Sequence, residues 1–466
     1  MTLDLRSTWL RAQSLVVYAE VLHQIPGQLW LKLGRSLLTP EPDPATIGSL
    51  YGRWFRALAT IDRPWTDWIL NAILQADNPW SRAAQFQDPP ALPPALTEAA
   101  AQDLRTFQAI AHWDPAAISA HCQTLQLFTP PLPAWYRDPQ PLPAAADSLR
   151  QATDWDLGLE VLAHHYRSQG IGIWGQFWAF RWSSTPDRSP DSPAAFATPS
   201  GAVLSQGGDR LHLASSGPVS ANPAGSWQGV AHPDPVRLEE LVGYEQPKAQ
   251  LIQNTEFLLA GQPALNVLLY GSRGAGKSSL VKALVPEYGP RGLRLLEVMK
   301  QQLGNLPQML DRLRNLPQKF IIFVDDLSFE EDDEAFKALK VVLEGNVVAH
   351  PANVVVYATS NRRHLVREYF EERPRPQDAD EIHRWDTVQE KLSFSDRFGL
   401  TLTFEPPDQD TYLAMVHHRA ARAGLRLTPE DLTFRALQWA TRHNGRSGRT
   451  AQQFIDWLTA EQSKAR

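Results

Sequence analysis

The residues best suited to chemistry lie in one stretch, Gly271-Ser272-Arg273-Gly274-Ala275-Gly276-Lys277-Ser278. It fits the phosphate-loop pattern G-x-x-x-x-G-K-[ST] without a mismatch. Gly271, Gly274 and Gly276 permit backbone angles that a Cβ would forbid, so successive N–H groups can turn inward around phosphate oxygens. Lys277 would reach the β- and γ-phosphates of a nucleotide, and the Ser278 hydroxyl would ligate Mg²⁺. Ser279 continues into a helix-type segment whose positive N-terminal end points at the same place. Taken alone such a pattern can be a chance glycine-rich turn. Here an apolar run, Leu265–Tyr270, precedes it and a helix-type run follows, which is the context the pattern requires.

A nucleotide engine also needs acids for the metal and for water. Phe320-Ile321-Ile322-Phe323-Val324 runs into Asp325-Asp326. A run this apolar suits a strand of a parallel sheet buried on both faces. Asp325 at its carboxyl end would hold Mg²⁺, and Asp326 would orient or deprotonate the attacking water. A second run, Val354–Ala358, leads into Thr359-Ser360-Asn361. A polar group at the tip of that strand can contact the γ-phosphate and water; Asn361 is the choice, with Thr359 and Ser360 beside it. Two arginines complete the set: Arg397 in Ser395-Asp396-Arg397-Phe398-Gly399, and Arg449 in Gly445-Arg446-Ser447-Gly448-Arg449-Thr450. Arginine meets phosphate with a forked, permanently charged donor. Singly, each reads as a surface residue; their order along the chain gives them weight.

The order of these motifs resembles that of AAA+ ATPases. Gly271–Ser278 is similar to Walker A, Phe320–Asp326 to Walker B, Asn361 to sensor 1, Arg397 to the arginine finger and Arg449 to sensor 2. Leu241-Val242-Gly243-Tyr244-Glu245 resembles the segment lining the adenine pocket, with Val242 and Gly243 as nucleotide contacts. Within the superfamily the chain resembles an uncharacterised bacterial domain-of-unknown-function family of predicted AAA+ ATPases. The likeness rests on Leu241–Gln246, Asn254-Thr255, Asn266–Leu269, Asp325–Glu330, Ser360–Leu365 and Ser395–Gly399. It covers residues 236–466, with a weaker likeness at 155–183. One departure stands out. Most AAA+ proteins have Glu after the Walker B aspartate, whereas here Asp326 is one methylene shorter, with Glu330 and Glu331 following. The resemblance implies a three-layer α/β P-loop core with a parallel sheet at 236–405, a helical lid at 406–466, and ATP with Mg²⁺ as cofactors. It also implies a homo-oligomer in which Arg397 completes a neighbour's site. The lid agrees with the local sequence: Pro406-Pro407 breaks the chain, and helix-type segments 408–424, 429–443 and 449–464 follow. Phe329–Glu334 reads as an acidic loop into a helix, and Glu368–Trp385 as a loop at the rim.

The 466 residues exceed one ordinary core. Residues 1–235 hold 13 of the 16 tryptophans, so their first part is expected to be a mainly helical module at 1–183 with tryptophans as core fillers. Prolines punctuate it, and one helix is expected near 146–168. The aromatic stretch Ile171–Trp182 is expected to pack that module against the ATPase or to form a short hairpin. Residues 184–235 have a linker composition, with a small strand pair expected around Leu211-His212-Leu213. The lone cysteine, Cys122, excludes an internal disulfide framework and suits a reducing cytosol. No apolar run spans a bilayer, so a cytoplasmic protein without a membrane partner is expected. Residues 1–235 carry 15 Lys/Arg against 20 Asp/Glu, and 236–466 carry 30 against 31, so neither half has the basic excess of a dedicated nucleic-acid binder.

Three functions compete on this sequence. The leading one is an ATP hydrolase that couples nucleotide state to remodelling or loading a macromolecular partner held by the N-terminal module. The second is a nucleotide switch with little turnover, suggested by the short Asp326. The third is a DNA-associated loader using Arg362, Arg363, Arg442, Arg446 and Arg449, which the charge balance disfavours.

Overall fold

In the computed structural model the described residues are 4–137, 141–183, 226–328, 334–344, 351–361, 397–443 and 445–464. They divide into two units, Met1–Gln176 and Phe177–Arg466.

The first unit is helical. Its longer helices include Ile25–Leu37, Pro44–Ile61, Pro94–Ala111 and Leu159–Gln169. Several prolines that punctuate the sequence open helices: Pro44, Pro79, Pro94 and Pro115 all stand at first-turn positions. There the missing N–H has no intrahelical partner to lose. Asp43 and Asp114 cap two of these helices, accepting from Thr46 N at 3.0 Å and Ala117 N at 2.8 Å. The tryptophans are the core. Trp30, Trp54, Trp65 and Trp80 are buried, and Trp65 is their hub. Its ring stacks on Trp68 at 5.0 Å and meets Trp54 edge-on at 5.1 Å, while its indole N–H donates to Ile110 O at 3.0 Å. A buried carboxylate, Asp103, is matched by three backbone donors, Val16, Val17 and Tyr18. The helix expected over 146–168 is two helices, Ala144–Gln151 and Leu159–Gln169. Between them Gly158 passes so close to the first that a Cβ would lie 2.2 Å from Leu149 Cδ2.

The second unit is built on a seven-stranded sheet. Its strands are β1 (Ala179–Ser183), β2 (Ser226–Gly229), β3 (Val267–Gly271), β4 (Leu293–Glu297), β5 (Lys319–Val324), β6 (Val354–Ser360) and β7 (Leu400–Phe404). The order is β2-β1-β4-β5-β6-β3-β7; all neighbours are parallel except β1 and β2. Both faces are covered. Val267, Leu269, Ile321, Phe323, Val355 and Tyr357 pack with Leu251, Leu258, Leu280 and Leu284 from helices Glu245–Leu259 and Lys277–Tyr288. The alternate residues Leu268, Phe320, Ile322, Val354 and Val356 are buried on the opposite face. This is the three-layer α/β arrangement, and a helical lid follows it: Gln409–Arg422, Pro429–Arg442 and Gly448–Lys464 around Tyr412, Val416, Ala436, Phe454 and Leu458.

Two expectations change. The domain break lies after Gln176 rather than at 183, because Ala179–Ser183 is a strand of the sheet, hydrogen-bonded in register with β4. The stretch 184–235 is not linker throughout either. Ser226–Gly229 pairs antiparallel with β1, and Trp182 meets Trp227 at 4.9 Å. The strand pair expected at Leu211–Leu213, the insert Glu368–Trp385 and the acids Glu330 and Glu331 lie outside the described residues. Among the described residues no helix is long and apolar enough to cross a membrane.

Candidate functional site

The phosphate loop joins β3 to helix Lys277–Tyr288. Gly271 is at φ 142°, where it passes against β7: a Cβ there would sit 2.0 Å from the Phe404 carbonyl oxygen. Ser272 N donates to that same oxygen at 2.9 Å. Gly276 is at φ 90° with open space where its Cβ would be, so the loop has a hollow that only glycine leaves clear. No backbone carbonyl among the described residues accepts from the N–H groups of Arg273 to Ser278, and this row of donors borders the hollow. Lys277 folds back over the loop, donating to Gly271 O at 2.9 Å, Ser272 O at 2.8 Å and Asn361 Oδ1 at 3.2 Å. Burial pulls its pKa below the usual lysine range, with Arg273 adding to the effect and Asp325 and Asp326 opposing it.

The acids stand at the end of β5. Asp325 Oδ1 accepts from Ser278 Oγ at 2.6 Å and from Thr359 Oγ1 at 2.5 Å. Asn361 Nδ2 donates to Asp326 Oδ1 at 2.7 Å, so Asn361 links Asp326 to Lys277. The lid closes the far side. Gly448 Cα faces the loop so closely that a Cβ would lie 3.1 Å from Gly274 O, and Met415 approaches Gly243. The turn Gly243-Tyr244, with φ of 88° and 59°, feeds helix Glu245–Leu259, and Tyr244 Oη donates to Glu405 O at 2.6 Å. Deeper in the lid Arg419 donates to Gln452 Oε1.

These groups surround one cavity of about 790 Å³. Val242, Gly243, Arg273, Gly274, Ala275, Gly276, Lys277, Ser278, Ser279, Asp325, Asp326, Asn361 and Arg449 all line it. Gly271 and Ser272 stand behind the wall as acceptors for Lys277. Arg397 lies in the turn before β7, half-buried, and does not line the cavity. Arg362 and Arg363 are outside the described residues. The sequence reading missed Asp234, Glu240, Arg419 and Gln452, which also line the cavity. Only the lid pair carried a signal: Met415 and Arg419 are four apart and Arg449 and Gln452 three apart, so each pair shares a helix face.

The residues fit a nucleoside triphosphate with a divalent cation. The row of free N–H donors, the hollow at Gly276 and the buried Lys277 suit phosphate oxygens. Ser278 and Asp325 would supply oxygen ligands, the hard donors Mg²⁺ takes in company with phosphate.

Residues 218–462 match the family described as "Protein of unknown function (DUF815)". The chain belongs to this family. Its α/β core from β2 onward and nearly all of the lid fall inside the matched segment, whereas β1 and the helical first unit precede it. No functionally curated protein matches the sequence. Among solved structures this DUF815 protein is similar to Thermotoga maritima RuvB, described as a Holliday junction branch migration motor. Identity is 14%, the TM-score is 0.30, and the match covers 48% of this chain and 72% of that one. A single-substitution variant of the same RuvB gives 14% identity and a TM-score of 0.31 over the same shares of the two chains.

Proposed function

We propose that this DUF815 protein binds Mg²⁺–ATP in the cavity beyond β3 and hydrolyses it, using the nucleotide state to move its lid and remodel a macromolecular partner. The observation that carries the reading is the convergence of Lys277, Ser278, Asp325, Asp326, Asn361 and Arg449, from four segments of the chain, on one cavity. Lys277 releases its backbone acceptors to meet β- and γ-phosphate oxygens. Ser278 and Asp325 hold the cation, which would draw charge from the phosphates. Asp326 and Asn361 orient water. Arg449, one residue into the lid helix, senses the phosphate from the opposite wall. Arg397, set away from its own chain's cavity, serves a neighbouring subunit in a homo-oligomer. The helical first unit is the part available to hold a protein partner.

A slow switch is favoured by one observation: the short Asp326 is already engaged by the Asn361 amide. Phosphate release from Mg²⁺–ATP across a range of protein concentrations separates the readings. The hydrolase is expected to turn over, with specific activity rising with concentration and falling about 100-fold in Lys277→Ala. ATP binding without phosphate release at any concentration would leave the switch and remove the hydrolase.

A further inference from the structure

We propose that Thr359 is a positioning residue whose hydroxyl sets the reach of Asp326 and the orientation of Asp325; the proposal rests on the hydrolytic reading above. Asp326 is shorter than a glutamate by one C–C bond, about 1.5 Å. Its carboxylate reaches less far for a given backbone, and the backbone that carries it is unusual: Asp326 is a non-glycine residue at φ 51°. A left-handed non-glycine residue of this kind is strained and persists only where its surroundings hold it.

Thr359 holds it. At the end of β6 and 2% exposed, its Oγ1 accepts from Asp326 N at 2.9 Å, and its carbonyl accepts from Leu327 N at 2.7 Å. The two N–H groups on either side of the strained peptide are therefore tied to one residue. The carbonyl contact is backbone and would survive substitution; the hydroxyl is what residue 359 contributes by its type. The hydroxyl's single proton goes to Asp325 Oδ1 at 2.5 Å. That oxygen also accepts from Ser278 and, at 3.2 Å, from Asp326 N. With Oδ1 so occupied, Oδ2 is the oxygen left to face a cation. One side chain thus couples the metal-side aspartate to the water-side aspartate. Without the hydroxyl, Asp326 N keeps only its long contact to Asp325, and the left-handed turn is tied to residue 359 on one side alone, through Leu327 N.

The test uses the full-length protein with Thr359→Val, which keeps the branched shape, Thr359→Ala, and Thr359→Ser, which keeps the hydroxyl. Thermal melting checks that each folds, and Thr359→Ala stands in should the valine variant fail. Phosphate release is expected to show kcat reduced about 100-fold in Thr359→Val and Thr359→Ala with little change in KM, and near-complete rescue in Thr359→Ser. Mn²⁺ affinity in the presence of a non-hydrolysable ATP analogue, read by electron paramagnetic resonance, is expected to fall about tenfold in the valine variant and to recover in the serine variant. An unchanged kcat in Thr359→Val, or a serine variant as slow as the valine one, overturns the proposal. Should the wild type bind Mn²⁺ and nucleotide yet release no phosphate, the hydrolytic reading fails by itself. Thr359 is then judged on the Mn²⁺ readout, where equal affinity in the wild type and valine variant overturns its role.

Discussion

Lys277 is a cation held by carbonyls and one amide oxygen in a largely buried position, with its pKa drawn down chiefly by burial. The folded value lies below the unfolded one, so between the two the unfolded chain binds more protons and stability rises with pH. Below that window both states are charged and the burial penalty is fully present. A bound triphosphate would reverse the shift by placing anions at the amine, so nucleotide binding should draw in a proton. At a pH between the folded-state and unfolded-state lysine pKa, calorimetry in buffers of different ionisation enthalpy is expected to show proton uptake on ATP binding. The uptake should vanish in Lys277→Met, and its presence there would assign it to another group. At this scale the sequence was most legible where function is contiguous. Gly271–Ser278 and Asp325-Asp326 declare themselves because one loop and one strand end carry all their chemistry. Arg419, Gln452 and Asp234 were illegible because they reach the cavity from separate segments, with only helical spacing to mark the first two.

Among the elements, the runs at β5 and β6 were readable because central strands are apolar on both faces. β4 was not: Arg294 interrupts its apolar run, yet is fully buried, with its pKa pulled down to about 10 by burial, and donates to Gly289 O and Leu293 O. β7 alternates threonines with apolar residues, as suits a strand paired on one side only. It is nonetheless the element against which the phosphate loop is set. The contrast between Gly271 and Gly276 tests that dependence. Gly271→Ala drives a Cβ into the Phe404 carbonyl and should cost about 3 kcal/mol or more, seen as a lower denaturation midpoint. Gly276→Ala meets no neighbour, though its φ of 90° strains it, so it should lose clearly less stability than Gly271→Ala while losing ATP binding, because its Cβ fills the phosphate hollow. Equal stability of the two variants would mean that β7 does not set the loop.

For the whole molecule, composition separated a tryptophan-rich half from a charge-balanced one, but it misplaced the join by a few residues. The aromatic stretch Ile171–Trp182 reads in sequence as packing material or a short hairpin; register with β4 and β2 makes its last four residues part of a strand. A fragment of residues 236–466 would therefore discard β1 and β2 with buried Phe180, Trp182 and Trp227, each worth about 2 kcal/mol. It would also bare the β4 edge to solvent or to another chain. Hydrogen exchange at Leu293–Glu297 is expected to be slow in a 177–466 fragment and fast in 236–466; equal protection would show that β4 needs no cover.

The same edge has a consequence for how the chain tolerates change in length. Ser183 and Ser226 are partners in the β1–β2 ladder, so the chain leaves the sheet and returns to it at neighbouring residues. Whatever lies between closes a ring whose ends are fixed by hydrogen bonds. The entropy of closing such a ring grows only with the logarithm of its length, about 0.6 kcal/mol for each doubling. Relatives could gain or lose tens of residues between these two serines with little effect on the sheet, the phosphate loop or the lid.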